Sequence, residues 1–187
     1  MYHLATTTSN GPRTAMITHT THPSGTPNTP QQTPQQAADP AVARGVLADA
    51  VEATATTPAY IVFALPGTSY ALHLRTPTPT ADLRPALGKR AVGTIRCRAR
   101  RADVVSTGGR YVEPVIGRPR RVQGTILEIR PTQNAIVVSA GGAASVDGQP
   151  LPIVCELTAP NQRAESLAVG QLVSMDVHEG ATFTFVR

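Results

Sequence analysis

The 187-residue chain has few of the features that mark membrane, secreted or metal-binding proteins. It has no Trp, and its two cysteines, Cys97 and Cys155, are too few for a disulfide scaffold or a zinc knuckle. Its longest uninterrupted apolar run, from Ala59 to Leu65, is far shorter than the ~20 residues that a membrane helix needs. The first twenty residues contain no apolar signal-peptide core. We therefore expect a cytoplasmic protein with two reduced thiols and no membrane partner.

Charge is also scarce, and it is unevenly distributed along the chain. Charged residues make up 16% of the sequence, against roughly 25% in a typical domain. Residues 75 to 130 hold 13 of the 17 basic residues and four of the 12 acids, so this stretch carries +9 and the remainder −4. Lys89 is the only lysine. Coding from a GC-rich genome explains why Arg replaces Lys, but it does not explain the clustering. A local excess of Arg indicates a polyanion-binding surface.

The N-terminal segment differs from the rest in composition. Residues 1 to 40 contain ten Thr, six Pro and four Gln, and their only Leu, Ile, Val or Phe residues are Leu4 and Ile17. Such a segment buries too little apolar area to offset the entropy of ordering it. The sequence therefore predicts a disordered Thr/Pro/Gln-rich tail over residues 1 to 40.

The second half of the remaining chain, residues 122 to 187, predicts five strands and a short helical segment. Its alternating apolar residues, Pro and Gly turns and apolar runs follow the order strand, strand, strand, helical turn, strand, strand. This is the order of an OB-type five-stranded barrel, whose closure removes exposed sheet edges. The predicted strands are 122–130, 135–139, 152–158, 171–177 and 181–186, and the helical turns lie in 161–168.

Residues 41 to 106 repeat the same pattern. Periodicity alone predicts a helix over residues 41 to 53, since Val42, Val46 and Ala50 recur at helical spacing. Alignment of Gly45 with Gly124 instead predicts a strand, and residues 44 to 53 stay open between the two. The chain thus predicts an all-β fold of two tandem OB-like five-stranded barrels, a basic one (41–106) and an acidic one (122–187), joined by a Gly/Arg/Pro connector (107–121).

Two segments resemble known families. Gly124-x-Ile, the strand end Leu157-Thr158 and the pattern from Ala164 to Val173 are similar to MOP/TOBE oxyanion-binding domains. The Ser-Ala-Arg-Asn element that such domains use to bind their ligand is absent, so the resemblance implies no molybdate or tungstate site. The stretch from Gly108 to Gly124 resembles a signature of uncharacterised bacterial proteins, and this resemblance implies no function.

The strongest candidate site is the segment Arg96-Cys-Arg-Ala-Arg-Arg101. In a β-strand, Arg96, Arg98 and Arg100 project to one face about 6–7 Å apart. This distance is close to the spacing of phosphates along a single strand of nucleic acid. The alignment of the two halves places them at a hairpin between strands 4 and 5 of the first barrel. Arginines of the connector extend this face, and two tyrosines could stack on bases. The predicted nucleic-acid or anion-binding residues are Arg96, Arg98, Arg100, Arg101, Arg110, Arg118, Arg120, Arg121, Tyr70 and Tyr111.

Catalytic chemistry has little support in the sequence. Acid–base catalysis needs two positioned titratable groups, and the nearest local pair is Asp176 with Glu179. A metal site needs clustered ligands, and the one close pair, Asp176 with His178, is typical of a solvated strand end. No glycine-rich phosphate loop is present. We therefore expect a non-enzymatic protein with no cofactor and no metal.

Two functions stay open at this point. In the first, the chain binds nucleic acid or another polyanion through the Arg-rich face of the first barrel. In the second, it is a structural or assembly adaptor that binds another protein. In that case the arginines make interdomain or subunit contacts, for instance with the acidic second half, whose residues 122 to 187 hold six acids against three Arg.

Overall fold

β-strands form nearly all of the regular structure in the residues that the computed structural model describes, 39–141 and 151–186. These residues contain eleven strands, one four-residue α-helix and three short 3-10 turns, which confirms the predicted all-β class with short helical turns. No helix in this part of the chain has the length and apolarity to cross a membrane. The predicted disordered tail, apart from its last two residues, and the Gly-rich loop after residue 141 lie outside the described residues.

The first half of the chain (residues 41–106) begins with the strand that the alignment predicted. The helical alternative for residues 44 to 53 is wrong, since a strand runs from Val42 to Val51. Its extended backbone brings Gly45 against the Phe63 ring. A Cβ atom at Gly45 would lie 2.4 Å from that ring, so only glycine allows the close approach. The elements are β1 (Val42–Val51), β2 (Tyr60–Ala64), β3 (Ala71–Leu74), α1 (Thr80–Leu83) and β4 (Arg90–Val104).

The connector and the second half (residues 122–186) supply the other seven strands. The five strands predicted for the second half are present, with bounds shifted by at most two residues. The connector carries two further short strands, which the sequence did not predict. The elements are β5 (Tyr111–Glu113), β6 (Ile116–Gly117), β7 (Arg121–Arg130), β8 (Ala135–Ala140), β9 (Leu151–Leu157), β10 (Leu172–Val177) and β11 (Thr182–Phe185).

The strand pairing closes two rings of five strands, and each ring takes one strand from the other half of the chain. Ring one runs β1–β2–β3–β11–β4 and back to β1. Its closing strand β11 comes from the C-terminal end of the chain. Ring two runs β7–β8–β9–β4–β10 and back to β7. The long strand β4 therefore belongs to both rings, and the pairing does not confirm two separate tandem barrels.

The hairpin predicted at residues 96 to 101 is wrong, because β4 continues without a turn from Arg90 to Val104. The segment after Gly93 contains no Gly, Pro or Asn to reverse the chain. It instead keeps alternating small or apolar residues with arginines as far as Ala99, so that one face stays buried throughout. The first part of β4 pairs with β1 and β11, and its later part with β9 and β10.

One continuous apolar core fills both rings. In ring one the Phe63 and Phe183 rings lie 5.0 Å apart, so the closing strand β11 contributes a central side chain. Gly93 of β4 lies against the Phe183 ring, and a Cβ atom there would approach this ring to 2.6 Å. Because the core is shared, we expect the two rings to unfold together.

The connector is attached to both halves. Its strand β5 pairs with β7, and β6 pairs in parallel with β3. The amide of Val112 donates a hydrogen bond to the Tyr70 hydroxyl at 3.2 Å. The connector arginines are thereby held at defined positions on the surface.

Candidate functional site

The outer face of β4 carries a row of arginines. Ile95, Cys97 and Ala99 point into the core, while Arg96, Arg98 and Arg100 are exposed on the opposite face. The alternation of the sequence therefore predicted the common face. Their position in the fold differs from the prediction, since this part of β4 pairs with β9 and β10 and so forms a wall of ring two.

A β-bulge exposes two consecutive arginines near the end of this row. Ala99 pairs with Val177 and Arg101 with Asp176, so the strand has one extra residue between these pairs. Arg100 and Arg101 are consequently both exposed. Together with Arg121 they border a surface depression of about 330 Å³, whose lining also includes Asp103 and Asp176.

Two arginines, Arg75 and Arg96, are aligned across the strands rather than along one strand. Arg75, directly after β3, pairs with Thr182 of β11, and Thr182 pairs with Arg96 of β4. The Arg75 amide donates to the Ala181 carbonyl at 2.8 Å, and the Arg75 carbonyl accepts from the Phe183 amide at 2.7 Å. Paired residues share a face of the sheet, and two strand spacings place the backbones of Arg75 and Arg96 about 10 Å apart. We call Arg75, Arg96, Arg98 and Arg100 the basic stripe.

An aromatic pair lies beside the basic stripe on the outer face of β2 and β3. The rings of Tyr60 and His73 stack with centroids 4.7 Å apart and an angle of 19° between their planes. His73 lies two residues before Arg75, and both side chains point outward because Leu72 and Leu74 point into the core. Tyr60, His73, Arg75 and Arg118 line one shallow surface pocket. We call Tyr60 and His73 the aromatic pair.

The environment of His73 opposes its protonation. Partial burial, and next the nearby guanidinium of Arg118, lower the pKa of His73 below its usual value. The imidazole is therefore predominantly neutral at pH 7.

Acidic residues interrupt the positive surface at several places. Asp103 and Asp176 lie beside Arg100 and Arg101, and Glu179 lines the pocket of the aromatic pair. Glu156 of β9 is the cross-strand neighbour of Arg98, and Glu179 lies 3.7 Å from Arg120. Within residues 39–141 and 151–186, however, no arginine of the basic stripe forms an ion pair. Arg96 donates only a long hydrogen bond to Gln133 Oε1 at 3.4 Å. The stripe thus presents guanidinium groups that are available to an anion.

The other predicted arginines are dispersed and partly engaged within the chain. Arg101 binds Asp103 at 2.8 Å, and Arg121 donates to Ser174 Oγ through two nitrogens at 3.2 and 3.3 Å. Arg110 makes a long contact of 3.5 Å with Ser139 Oγ. Of this group, only Arg118 lies next to the aromatic pair.

The two tyrosines chosen from the sequence have structural partners. The Tyr70 hydroxyl accepts the Val112 amide, and the Tyr111 hydroxyl donates to Gln123 Oε1 at 3.2 Å. Sequence reasoning missed the aromatic pair and Arg75. The alternation of side chains in β2 and β3 places Tyr60 and His73 on the outer face. Their proximity to β4 depends on β11, which pairs with Arg75 on one side and with β4 on the other.

The comparisons of this chain with protein-family models, with curated proteins and with solved structures found no match.

Proposed function

We propose that this protein binds single-stranded nucleic acid through the basic stripe and the aromatic pair. One observation carries the proposal: Arg75, Thr182 and Arg96 are consecutive partners across β3, β11 and β4. This alignment joins the aromatic pair to the arginine row of β4 in one surface. Phosphates would bind the guanidinium groups, and unpaired bases would stack on the exposed face of the aromatic pair.

The position of the aromatic pair within ring one supports this proposal. We interpret the two rings as OB-like copies of one ancestral unit, since β1 and β7 share two unusual features. Each carries a glycine that leaves no room for a Cβ atom, Gly45 and Gly124, and each has a bulge after the residue two positions later. OB-type barrels bind oligonucleotides on their second and third strands. Tyr60 and His73 lie on those strands of ring one.

Single strands suit the stripe better than duplexes do. A half-buried aromatic pair on the outer face contributes binding energy only when bases are unstacked, and stacking is tolerant of sequence. We therefore expect a strong salt dependence and little sequence preference. A cytoplasmic location belongs to the same proposal, because both cysteines are free thiols, the form that a reducing compartment maintains.

A structural or assembly adaptor is the second candidate function. The neighbouring positions of Arg98 and Glu156 and the ion pair of Arg120 with Glu179 favour it, since acids of the second half lie beside these arginines. In that role the arginines would stabilise the fold or a protein contact rather than bind phosphates.

A charge-matched pair of triple variants separates the two functions. In the first variant, Arg96, Arg98 and Arg100 are changed to Gln. The control variant changes three exposed cations outside the stripe to Gln, namely Arg44, Lys89 and Arg163. Both variants lose three positive charges, so a difference between them reports position rather than net charge.

Binding of a fluorescent oligothymidylate is measured by anisotropy at several salt concentrations, with a thermal melt of each protein. The stripe variant should flatten the slope of log affinity against log salt by about two units, because each of the three lost phosphate contacts contributes about 0.7 to the slope. The control should keep most of the wild-type slope, and both should melt within about 2 °C of wild type. No binding by wild type at low salt, or a stripe variant that melts much lower, would overturn the proposal in favour of the adaptor.

A further inference from the structure

The two cysteines of the chain are direct neighbours in the core. They come from different halves and occupy non-equivalent positions in the aligned pattern, so sequence patterns alone do not predict that they are in contact. In the structure Cys97 of β4 pairs with Cys155 of β9, and their Sγ atoms lie 3.3 Å apart. Both are free thiols and both side chains are buried, with Cys97 5% exposed and Cys155 0%.

The backbone of this pair suits a disulfide. Neighbouring strands lie about 4.8 Å apart, and disulfides join Cα atoms separated by about 4.4–6.8 Å. Cys97 and Cys155 point into the same core, since each is flanked by residues that face the opposite side. A disulfide requires the two sulfurs to approach from 3.3 Å to about 2.05 Å. Side-chain rotation supplies a movement of this size without a change of strand register.

We propose that Cys97 and Cys155 are a redox modification site that forms an intramolecular disulfide when a small peroxide oxidises the protein. In the first step the Cys97 sulfur attacks a peroxide oxygen, the O–O bond breaks, and Cys97 becomes a sulfenic acid. The hydroxide that is released takes up the thiol proton of Cys97 and leaves as water. In the second step the Cys155 sulfur loses its proton and attacks the Cys97 sulfur, so that the S–S bond forms and the S–O bond of the sulfenic acid breaks. The leaving hydroxyl takes up that proton and departs as a second water. The two thiols lose two electrons and two protons, and hydrogen peroxide gains them as it forms two waters.

The surroundings of the two sulfurs assign the order of the steps. Cys97 is the more accessible of the two, because it retains a small exposed area that Cys155 lacks. The contact with Cys97 and then burial raise the pKa of the Cys155 thiol well above its usual value. Cys155 is therefore the poorer nucleophile towards peroxide in solution. It lies in position to resolve a sulfenic acid on its neighbour.

The disulfide would join the two halves where they meet. β4 belongs to the first half and β9 to the second, and their pairing closes ring two. A cross-link between residues 97 and 155 restricts a long segment of the unfolded chain, which raises stability. This inference does not depend on nucleic-acid binding, because the two sulfurs face the core and the basic stripe faces solvent.

The test is to titrate the full chain with hydrogen peroxide and to measure its intact mass and free thiols after denaturation. We expect a monomer that has lost two hydrogens and both thiols, melts at least about 5 °C higher, and recovers its mass and melting temperature with dithiothreitol. The variant Cys155→Ala should instead accumulate a sulfenic acid on Cys97 that dimedone traps, and Cys97→Ala should trap none.

The wild-type measurement decides the proposal even if either variant folds poorly. Retention of both thiols after peroxide treatment would overturn it. Addition of oxygen atoms to the monomer, or loss of thiols only through disulfide-linked dimers, would overturn it as well.

Discussion

The second and third strands of the two rings differ in what covers their outer faces. In ring one, β2 and β3 present the aromatic pair to solvent on that face. In ring two, the corresponding strands β8 and β9 bury Ala135, Val137 and Val154 there, packed against Ala41, which directly precedes β1. The same kind of strand pair thus serves as an open surface in one ring and as an internal contact in the other.

An ion-pair group secures the covered face of ring two. Arg130, whose side chain is only 18% exposed, donates to Glu128 at 3.0 Å and to Asp39 at 3.1 Å. The pKa of Arg130 is raised above its usual value, and the hydrogen bond to Glu128 is the largest cause of this shift. Asp39 immediately precedes the segment that covers β8 and β9, so this contact holds the segment in place. Among the described residues, it is therefore ring one whose second and third strands keep an outer face open to a ligand.

The largest expected effect comes from breaking the closure of ring one with Phe183→Ala. Phe183 is fully buried against Phe63, and such truncations cost about 3–5 kcal/mol. Because the core is shared, denaturant unfolding should remain a single transition with a lower midpoint. Thr184→Ala, an exposed change on the same strand, should cost less than about 0.5 kcal/mol. Two separate transitions in F183A would show that the rings are independent units.

The contrast between the outer faces predicts different costs for the same substitution. Val137→Thr places a hydroxyl in the covered face of ring two, where the side chain is fully buried, and should cost about 1–3 kcal/mol. Val62→Thr on the outer face of β2, which is half-buried, should cost less than about 0.5 kcal/mol. Urea unfolding of both variants measures the difference. Equal costs would contradict the conclusion that only one face is covered.

The aromatic pair should matter for binding and little for stability. Tyr60→Ala removes a stacking surface worth about 1–3 kcal/mol per base, which is about a 5- to 150-fold loss of oligonucleotide affinity. Tyr60→Phe keeps the ring and should retain affinity within about twofold. Anisotropy titrations of both variants provide the measurement. An unchanged affinity in Y60A would remove the aromatic pair from the proposed site.

The smallest expected effect is a pH dependence from His73. Its folded pKa lies below the unfolded value of about 6.5, so the unfolded chain takes up the proton first as pH falls. The stability contribution of neutral His73 is complete above about pH 6.5 and declines as pH falls through the lowered folded pKa. His73→Gln should therefore lose less stability than wild type between about pH 7.5 and 5 in urea unfolding. Identical pH profiles would argue that His73 is freely solvated.

Local patterns in the sequence were sufficient for the strands and for part of the site. Alternation predicted the common face of Arg96, Arg98 and Arg100, because side chains in any strand alternate at period two whichever partner it has. The alignment of Gly45 with Gly124 predicted a strand for β1 against the helical period. Gly45 must leave room for Phe63, and this contact stabilises the extended backbone.

Local sequence patterns could not predict which strands pair with each other. An outward row of arginines is compatible with β4 as half of a hairpin and equally with β4 as one long strand shared by two rings. The sequence pattern therefore could not exclude the predicted hairpin, which was wrong. The choice depends on distant contacts, chiefly the packing of Phe183 from the end of the chain against Phe63. That packing brings β11 between β3 and β4, which aligns Arg75 with Arg96. The pairing of β4 with β9 likewise brings Cys97 to Cys155. Sequence patterns alone were enough to predict the all-β class and the apolar face of the strands. Which strands are neighbours depends on tertiary packing, because apolar burial is non-directional and becomes specific only through side-chain packing.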